Sequence, residues 1–270
     1  MATAATTPNF AGSHSLAGVA AIYWKEAKYE FWKYIRLPMY LVATMLFPVM
    51  FYVLFGLLIN RQSSMASVGV STCLIATFGT FGVMGASLVT NGAGVAMERG
   101  LGWMQVKRAS PMPPLAYFVA KLAVSVTFSS ITVLLLLVLG ILLGGVHIAL
   151  AKALELVLTL AAGAIPFTAL GLVIGSLAGP NSAAAVVQLI YIPLSFASGI
   201  FFSVGTMPKF MQELAPKLPP YHLLQLALGT VGGLHSGSSW SHWQALIGYT
   251  LVFLGVTVIG FYRDEGKMYG

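Results

Sequence analysis

The sequence predicts an all-α protein that crosses a membrane several times. Of its 270 residues, 58% are hydrophobic and only 8% are charged, whereas soluble domains have about 25% charged residues. Apolar runs of about 20 residues recur along the chain, and a helix of that length crosses the hydrocarbon core of a bilayer. Short segments of alternating polarity, which are typical of transmembrane barrels, are not a feature of this chain. We therefore expect a polytopic helical membrane protein with six transmembrane helices.

The N-terminal region divides into two segments of different character. Residues 1–20 are rich in Ala, Thr and Ser and contain neither Lys nor Arg, so we expect a flexible tail rather than a signal peptide. Residues 21–36 predict an amphipathic helix that lies in the membrane interface, because it is basic and rich in aromatic residues. A soluble helix packed against a partner is the alternative. One side of the helix would carry Trp24, Ala27, Phe31, Tyr34 and Ile35, and the other Lys25, Glu26, Lys33 and Arg36.

The six predicted spans follow and form one domain, residues 37–262, before a cytoplasmic tail at 263–270. Pro48 and Pro166 lie inside spans, where neighbouring helices can satisfy the carbonyls that a proline frees. Small residues four apart, such as Gly82 and Ala86, predict close helix packing. The spans are expected at residues 37–59, 67–91, 115–143, 153–177, 183–202 and 243–262.

Residues 203–241 are too polar and too rich in proline to form one span. Two short apolar pieces, 210–214 and 223–231, are better explained as re-entrant or interfacial helices between spans five and six. Basic residues orient the chain, because cytoplasmic loops carry an excess of Lys and Arg. Arg61, Lys152, Lys209 and Lys217 would lie on one side, and the other ten of the fourteen Lys and Arg residues on the other. This distribution predicts cytoplasmic termini and an outward-facing 203–241 region.

The long connection at residues 94–114, between spans two and three, stands out in so apolar a chain. It contains the adjacent pair Glu98 and Arg99, the cations Lys107 and Arg108, and a proline-rich end. We interpret it as a cytoplasmic helix that is offered to another protein.

Motifs for chemistry are missing from the sequence. No Lys is followed by Ser or Thr, so there is no phosphate-binding P-loop, and another chain must bind ATP if ATP is used. No histidine pair has the HExxH spacing, and Cys73 is the single cysteine. We therefore expect no catalytic residue, no metal site and no cofactor on this chain.

Ionisable residues are almost absent from the centres of the spans, which disfavours an ion-coupled secondary transporter. Lys121 and Glu155 lie near span ends, where we expect their long side chains to reach the membrane surface. The cations flank the spans instead of forming a separate patch, so nucleic-acid binding is not indicated.

These features together resemble a type 2 ABC exporter permease. The resemblance covers residues 20–262 and rests on the basic N-terminal helix, the six spans, and a Glu-Arg loop that ends in Ser-Pro. Its most specific part is the run IPLSFASGIFF at 192–202, followed by Met207-Pro208 and by LPPYH at 218–222. The likeness extends to the bacterial branch of multidrug, antibiotic-resistance and lipo-oligosaccharide exporters.

The resemblance implies a subunit of the bacterial inner membrane that pairs with a second permease copy, as a homodimer or a heterodimer. Two separate ATPase subunits would bind ATP and Mg, and would seat a coupling helix at about residues 95–110. Gly100 and Gly102 depart from the stiffer helix of the family, because glycine costs about 1 kcal/mol in a helix interior. The coupling helix is therefore expected to be short or to form only on docking. The implied coupling contacts are Glu98, Arg99, Leu101, Trp103 and Met104.

The resemblance also implies an outer gate near the re-entrant region. Phe201, Phe202, Pro208 and Tyr221 are the candidate gate residues, with a role as interfacial anchors as the alternative. The expected substrate is hydrophobic or amphipathic: a drug, an antibiotic, a lipid or a glycolipid. An ATP-independent secondary transporter or channel, and a membrane assembly protein, are the alternative functions.

Overall fold

The computed structural model describes residues 16–37, 42–59, 64–65, 68–110 and 112–265, and these residues are almost entirely helical. Helix α1, Leu16–Ile35, begins five residues before the predicted start, so residues 16–20 belong to the helix and not to a tail. Residues 1–15 lie outside the described part. Helix α2 covers 42–59, with a central segment Phe47–Tyr52 between two wider π-helical stretches, Val42–Leu46 and Val53–Ile59.

A short hairpin precedes the central helix of the fold. Strand β1, Ser64–Met65, pairs antiparallel with β2, Val68–Gly69. Helix α3 then runs continuously over Val70–Gly100. The helix therefore extends nine residues past the predicted end of the second span at residue 91, because it passes through residues 89–93 as a π-helical stretch and continues into the 94–114 connection. The position at which this helix leaves the membrane stays a prediction. It stops only where Gly102 adopts a positive φ of 74°, a conformation that glycine takes at little cost.

The remaining helices match the predicted order, with shifts at their ends. Helix α4 is a separate seven-residue helix, and α5 begins at Pro114, in the proline-rich end of the 94–114 connection. Helix α7 ends five residues before the predicted position, at a turn where Gly199 has a φ of 88°. The two pieces predicted in 203–241 are both helices, although their re-entrant character stays a prediction. The bounds are α4 Trp103–Ala109, α5 Pro114–Leu143, α6 Leu150–Leu177, α7 Ala183–Ala197, α8 Lys209–Leu214, α9 Pro219–Val231 and α10 Ser239–Glu265.

Four of these helices, α3, α5, α6 and α10, are long and apolar enough to cross a membrane. The prediction of an all-helical, multi-pass membrane protein is therefore confirmed. Helices α2 and α7 are apolar but have fewer than 18 residues in their apolar stretches, short of the roughly 20 residues of a full crossing. The count of six spans accordingly stays a prediction.

Helix α3 is the centre of the bundle and packs against α5, α6 and α9. Nearly all of its residues from 71 to 88 are buried. Its glycines allow this close packing: a Cβ added to Gly82 would lie 2.7 Å from Thr132 of α5, and one added to Gly79 would lie 2.8 Å from Leu160 of α6. The predicted small-residue packing is confirmed, and it operates within the chain. The outward faces of α5, α6 and α10 expose leucines such as Leu142, as helices in contact with lipid do.

Candidate functional site

The end of the bundle that carries α4 holds an unusual concentration of charge. Four elements meet there: α1, the last turns of α3, α4, and the first turns of α5. Six ionisable side chains, which we call the ion-pair cluster, connect these elements. Its members are Glu26, Glu30, Lys33, Glu98, Lys107 and Lys121.

Lys121 is the innermost member of the ion-pair cluster. Its side chain is fully buried, and its Nζ lies 2.9 Å from Oε2 of Glu30 and 2.6 Å from Oε1 of Glu98. The Nζ also lies 5.5 Å from the ring centre of Tyr34 and 5.2 Å from that of Tyr117. The expectation that Lys121 extends to the membrane surface is wrong. Two carboxylates replace the water that a buried ammonium group requires, so the side chain stays inside.

Glu98 faces the same interior and is only 6% exposed. Its Oε1 accepts hydrogen bonds from Lys121 and Lys33, and the Tyr117 hydroxyl donates to its Oε2 at 2.7 Å. Both carboxylate oxygens are therefore satisfied within the chain. Sequence reasoning placed Glu98 at a partner contact, whereas the structure shows its side chain buried within the chain. Its part in coupling stays a prediction.

Lys107 connects α4 to α1. Its ammonium group binds Glu26 and lies 3.4 Å from Oε1 of Glu30, and it lies 4.4 Å from the ring centre of Tyr117. Because three lysines meet three glutamates, the ion-pair cluster is electrically neutral. A neutral, closed cluster of this kind can hold α4 to the rest of the bundle without leaving a buried charge uncompensated.

Arg99 connects α3 to α6. Its Nη1 donates a hydrogen bond to the Gly175 carbonyl at 2.8 Å, in the last turn of α6. Carbonyls at a helix C-terminus have no intrahelical partner, and they attract cations. The next residue, Gly100, packs directly on Pro180, because an added Cβ would lie 2.6 Å from the proline Cβ. Glu98 and Arg99 are neighbours in sequence, but they fasten α3 to different helices.

Large apolar side chains are exposed at this corner of the bundle. Leu101 is 68% exposed and Trp103 is 53% exposed, whereas Met104 is partly buried against Val95 and Tyr117. Of the five predicted contact residues, the structure therefore presents two outward and turns three inward. Sequence reasoning missed Met97 and Val106, two further exposed apolar residues, although helical spacing from Leu101 and Trp103 could have indicated them. We define the apolar ridge as Met97, Leu101, Trp103 and Val106, all exposed.

Helix α1 divides into faces differently from the prediction. Trp24 is 72% exposed, although it was placed with Phe31 on the apolar side. Phe31 stacks on Phe128 of α5 with ring centres 5.4 Å apart, and Ile35 packs in the same cluster. Lys33 was placed on the charged outer side, but it turns inward to Glu98. The ion pairs override the apolar pattern, so the inward face of α1 is partly charged.

The four predicted gate residues do not form one surface. Phe201 belongs to an aromatic cluster, with ring centres 4.6 Å from Phe196 and 5.2 Å from Phe81, while Phe202 and Pro208 are exposed. Tyr221 is buried beside the ring of His242. Their role as a gate stays a prediction.

A histidine pair near Tyr221 was not found by sequence reasoning, because its members are twenty residues apart. The Nδ1 atoms of His222 and His242 lie 2.9 Å apart, and the second ring nitrogen of His242 bonds the Ser236 carbonyl at 2.6 Å. Burial, and then the neighbouring His242, lower the pKa of His222, while a hydrogen bond to the Pro216 carbonyl opposes this shift. Within the described residues, no group of three or more His, Cys, Asp or Glu side chains could hold a metal ion.

Comparison with known proteins agrees with this architecture. The model of the ABC-2 type transporter family matches residues 23–231, from α1 through α9. A protein of Bacillus subtilis (strain 168) named "Putative transport permease YvfS" is 25% identical over 230 residues, which cover 85% of this chain and 93% of that protein. The region matched by the family model includes the apolar ridge and the ion-pair cluster. The chain therefore belongs to the ABC-2 type transporter family and is a membrane subunit of an ABC transporter.

Proposed function

We propose that this chain is the permease of an ATP-driven exporter in the bacterial inner membrane, with both termini in the cytoplasm. It would move a hydrophobic or amphipathic substrate, such as a drug, an antibiotic, a lipid or a glycolipid, out of the cytoplasm or the inner leaflet. Two copies would assemble with two separate ATPase subunits, which bind ATP and Mg. The observation that carries the proposal is the exposed apolar ridge, which lies at the end of the bundle that the ion-pair cluster holds together.

The apolar ridge suits the docking of the ATPase. Contiguous exposed apolar side chains next to charged residues are typical of interaction sites, and Trp is enriched among the residues that dominate binding energy. The ridge lies on α4 and at the end of α3, beyond the buried ion-pair cluster. We expect Leu101 and Trp103 to enter a groove of the ATPase.

The ion-pair cluster suits the transmission of movement from the ATPase. Lys107 ties α4 to α1, and Lys121 ties α1 and α3 to α5. Separating buried charges is costly, so α4 would carry these helices with it when the ATPase moves. ATP must bind one conformation better than the other for this movement to occur.

The apolar interior supports the proposed substrate class. Phe51 of α2, Phe81 of α3 and Phe201, in the segment that follows α7, contact one another. The exposed Phe196 and Phe202 extend the group outward. Aromatic surfaces of this kind bind apolar molecules through burial and stacking. A second copy of the chain or the substrate would cover the exposed members.

Substitution of Trp103 tests the proposal. Trp103→Glu places a charge in the apolar ridge and is expected to reduce co-purification of the co-expressed ATPase and transport at least tenfold. Trp240→Glu is the matched control, because Trp240 is 68% exposed at the other end of the bundle, and it should retain both. The proposal is wrong if no ATPase co-purifies with the parent chain, or if Trp103→Glu transports normally. Substrate flux without ATP in liposomes that contain this chain alone would favour the channel alternative.

A further inference from the structure

Helix α1 exposes a face on which cations and aromatic residues alternate. At 3.6 residues per turn, the exposed side chains fall within about 140° of the helix circumference. Large aromatic side chains are strongly exposed among them: Trp24 is 72% and Tyr29 is 70% exposed. We call this the α1 outer face, and it consists of Trp24, Lys25, Lys28, Tyr29, Trp32 and Arg36.

Acidic residues are excluded from the α1 outer face. The two acids of the helix, Glu26 and Glu30, both turn inward, where lysines of the ion-pair cluster neutralise them. Within the part of the chain that the structure describes, Lys25, Lys28 and Arg36 make no ion pair. The outer face therefore carries three positive charges without a compensating negative charge. Lys152 on α6 differs, because its exposed ammonium group is paired with Glu155 at 2.8 Å.

The aromatic residues of the outer face favour a membrane surface over a protein partner. Trp and Tyr are enriched at the level of the lipid headgroups, where an apolar ring can be buried while its polar atom stays hydrated. Leu115 and Val119, in the first turns of the neighbouring helix α5, are also exposed and apolar. The apolar ridge, in contrast, contains no cation.

We infer that the α1 outer face binds the headgroups of anionic phospholipids. Each basic residue near an anionic leaflet strengthens binding by about fivefold, and the aromatic rings hold the helix at headgroup depth. Since Glu30 and Lys33 of the same helix contact Lys121 and Glu98, bound lipid would also fix the position of the ion-pair cluster. The inference rests on the proposed function only for the location of the chain in a membrane.

Tryptophan quenching tests this inference directly. Replacing Trp103, Trp240 and Trp243 with Phe leaves Trp24 and Trp32 as reporters in the full-length chain. The protein is reconstituted into vesicles of phosphatidylcholine and phosphatidylglycerol, with brominated acyl chains placed on one lipid or the other at equal mole fraction. We expect brominated phosphatidylglycerol to quench the reporters several-fold more strongly, and we expect high salt to weaken the difference.

Two triple variants separate the charges of the outer face from the general charge of the protein. Lys25→Gln, Lys28→Gln and Arg36→Gln together should make the two lipids quench equally. Lys152→Gln, Lys209→Gln and Lys217→Gln remove three exposed cations elsewhere and should leave the preference intact. Equal quenching in the parent, or a preference that survives in the first variant, overturns the inference. Quenching by neither lipid also overturns it, because the α1 outer face then lies away from the lipid and is left for a protein partner.

The quenching measurement needs neither an ATPase nor transport. A failure to recover an ATPase would therefore overturn the proposed function and leave the lipid preference standing. Loss of the lipid preference with ATPase binding retained would overturn the lipid inference and leave the proposed function standing.

Discussion

The two ends of the bundle are held together by different interactions. At the α4 end, ion pairs join residues far apart in sequence: Lys121 and Glu30 are 91 positions apart, and Lys107 and Glu26 are 81 apart. At the opposite end, where α9 and α10 begin, hydrogen bonds join residues that are close in sequence. The pair of His222 and His242 spans 20 positions.

This difference indicates how the two ends respond to force. The ion-pair cluster connects four elements through charges that are costly to separate, so the α4 end should move as one body. Apart from the exposed pair of Lys152 and Glu155, the opposite end relies on neutral hydrogen bonds, each with a net contribution of about 1 kcal/mol, and can rearrange locally. In the proposed exporter, the stiff α4 end would receive the movement of the ATPase, and the opposite end would adapt to it.

The largest expected effect comes from removing the central charge of the cluster. Lys121→Met leaves Glu30 and Glu98 buried with too few cations, and we expect it to lower the free energy of unfolding by about 3–5 kcal/mol. Lys152→Met removes an exposed lysine from a surface pair and should cost at most about 1 kcal/mol. Thermal and denaturant unfolding of the purified variants in detergent would compare them. Equal stability of the two variants would contradict a structural role for the ion-pair cluster.

A smaller effect is expected where α3 meets the α6–α7 loop. Gly100→Ala would place a methyl group 2.6 Å from the Pro180 Cβ, and overpacking of this kind costs about 1–3 kcal/mol. Gly248→Ala in α10 is the control, because an added Cβ there meets nothing within 4 Å. It should be neutral or slightly stabilising. The same unfolding measurement applies. An unchanged free energy of unfolding in Gly100→Ala would mean that Gly100 and Pro180 are not closely packed.

The smallest effect concerns pH at the opposite end. Burial and His242 lower the pKa of His222, so the folded state binds fewer protons than the unfolded state, in which His has a pKa of about 6.5. The contribution of His222 to the free energy of unfolding is therefore fully present above about pH 6.5 and is lost as the pH falls through the pKa of the folded state. His222→Asn should remove part of this dependence, and His147→Asn, which alters an exposed histidine, should not. Melting temperatures at pH 7.5 and 5.5 would show the difference, and an unchanged pH dependence in His222→Asn would contradict it.

The histidine pair, the faces of α1 and the end of α3 show where sequence reasoning fails. Ion pairing moved Lys33 inward against its helical pattern. Helix α3 continued through Gly94, where any side chain would collide with the Tyr34 hydroxyl of α1. These outcomes depend on which helix lies opposite a residue. A local pattern contains no such information.

The sequence by itself determined the class of the protein, the order of its helices and the ends of several of them. Long apolar runs satisfy their backbone hydrogen bonds by forming helices, and clusters of glycine and proline between those runs indicate the connections. Only the tertiary structure decided which charged side chains are buried and which are exposed. Lys121 could have reached the membrane surface, but folding brought Glu30 and Glu98 within hydrogen-bonding distance. A buried charge is stable only with such partners, and they came from helices distant in the chain.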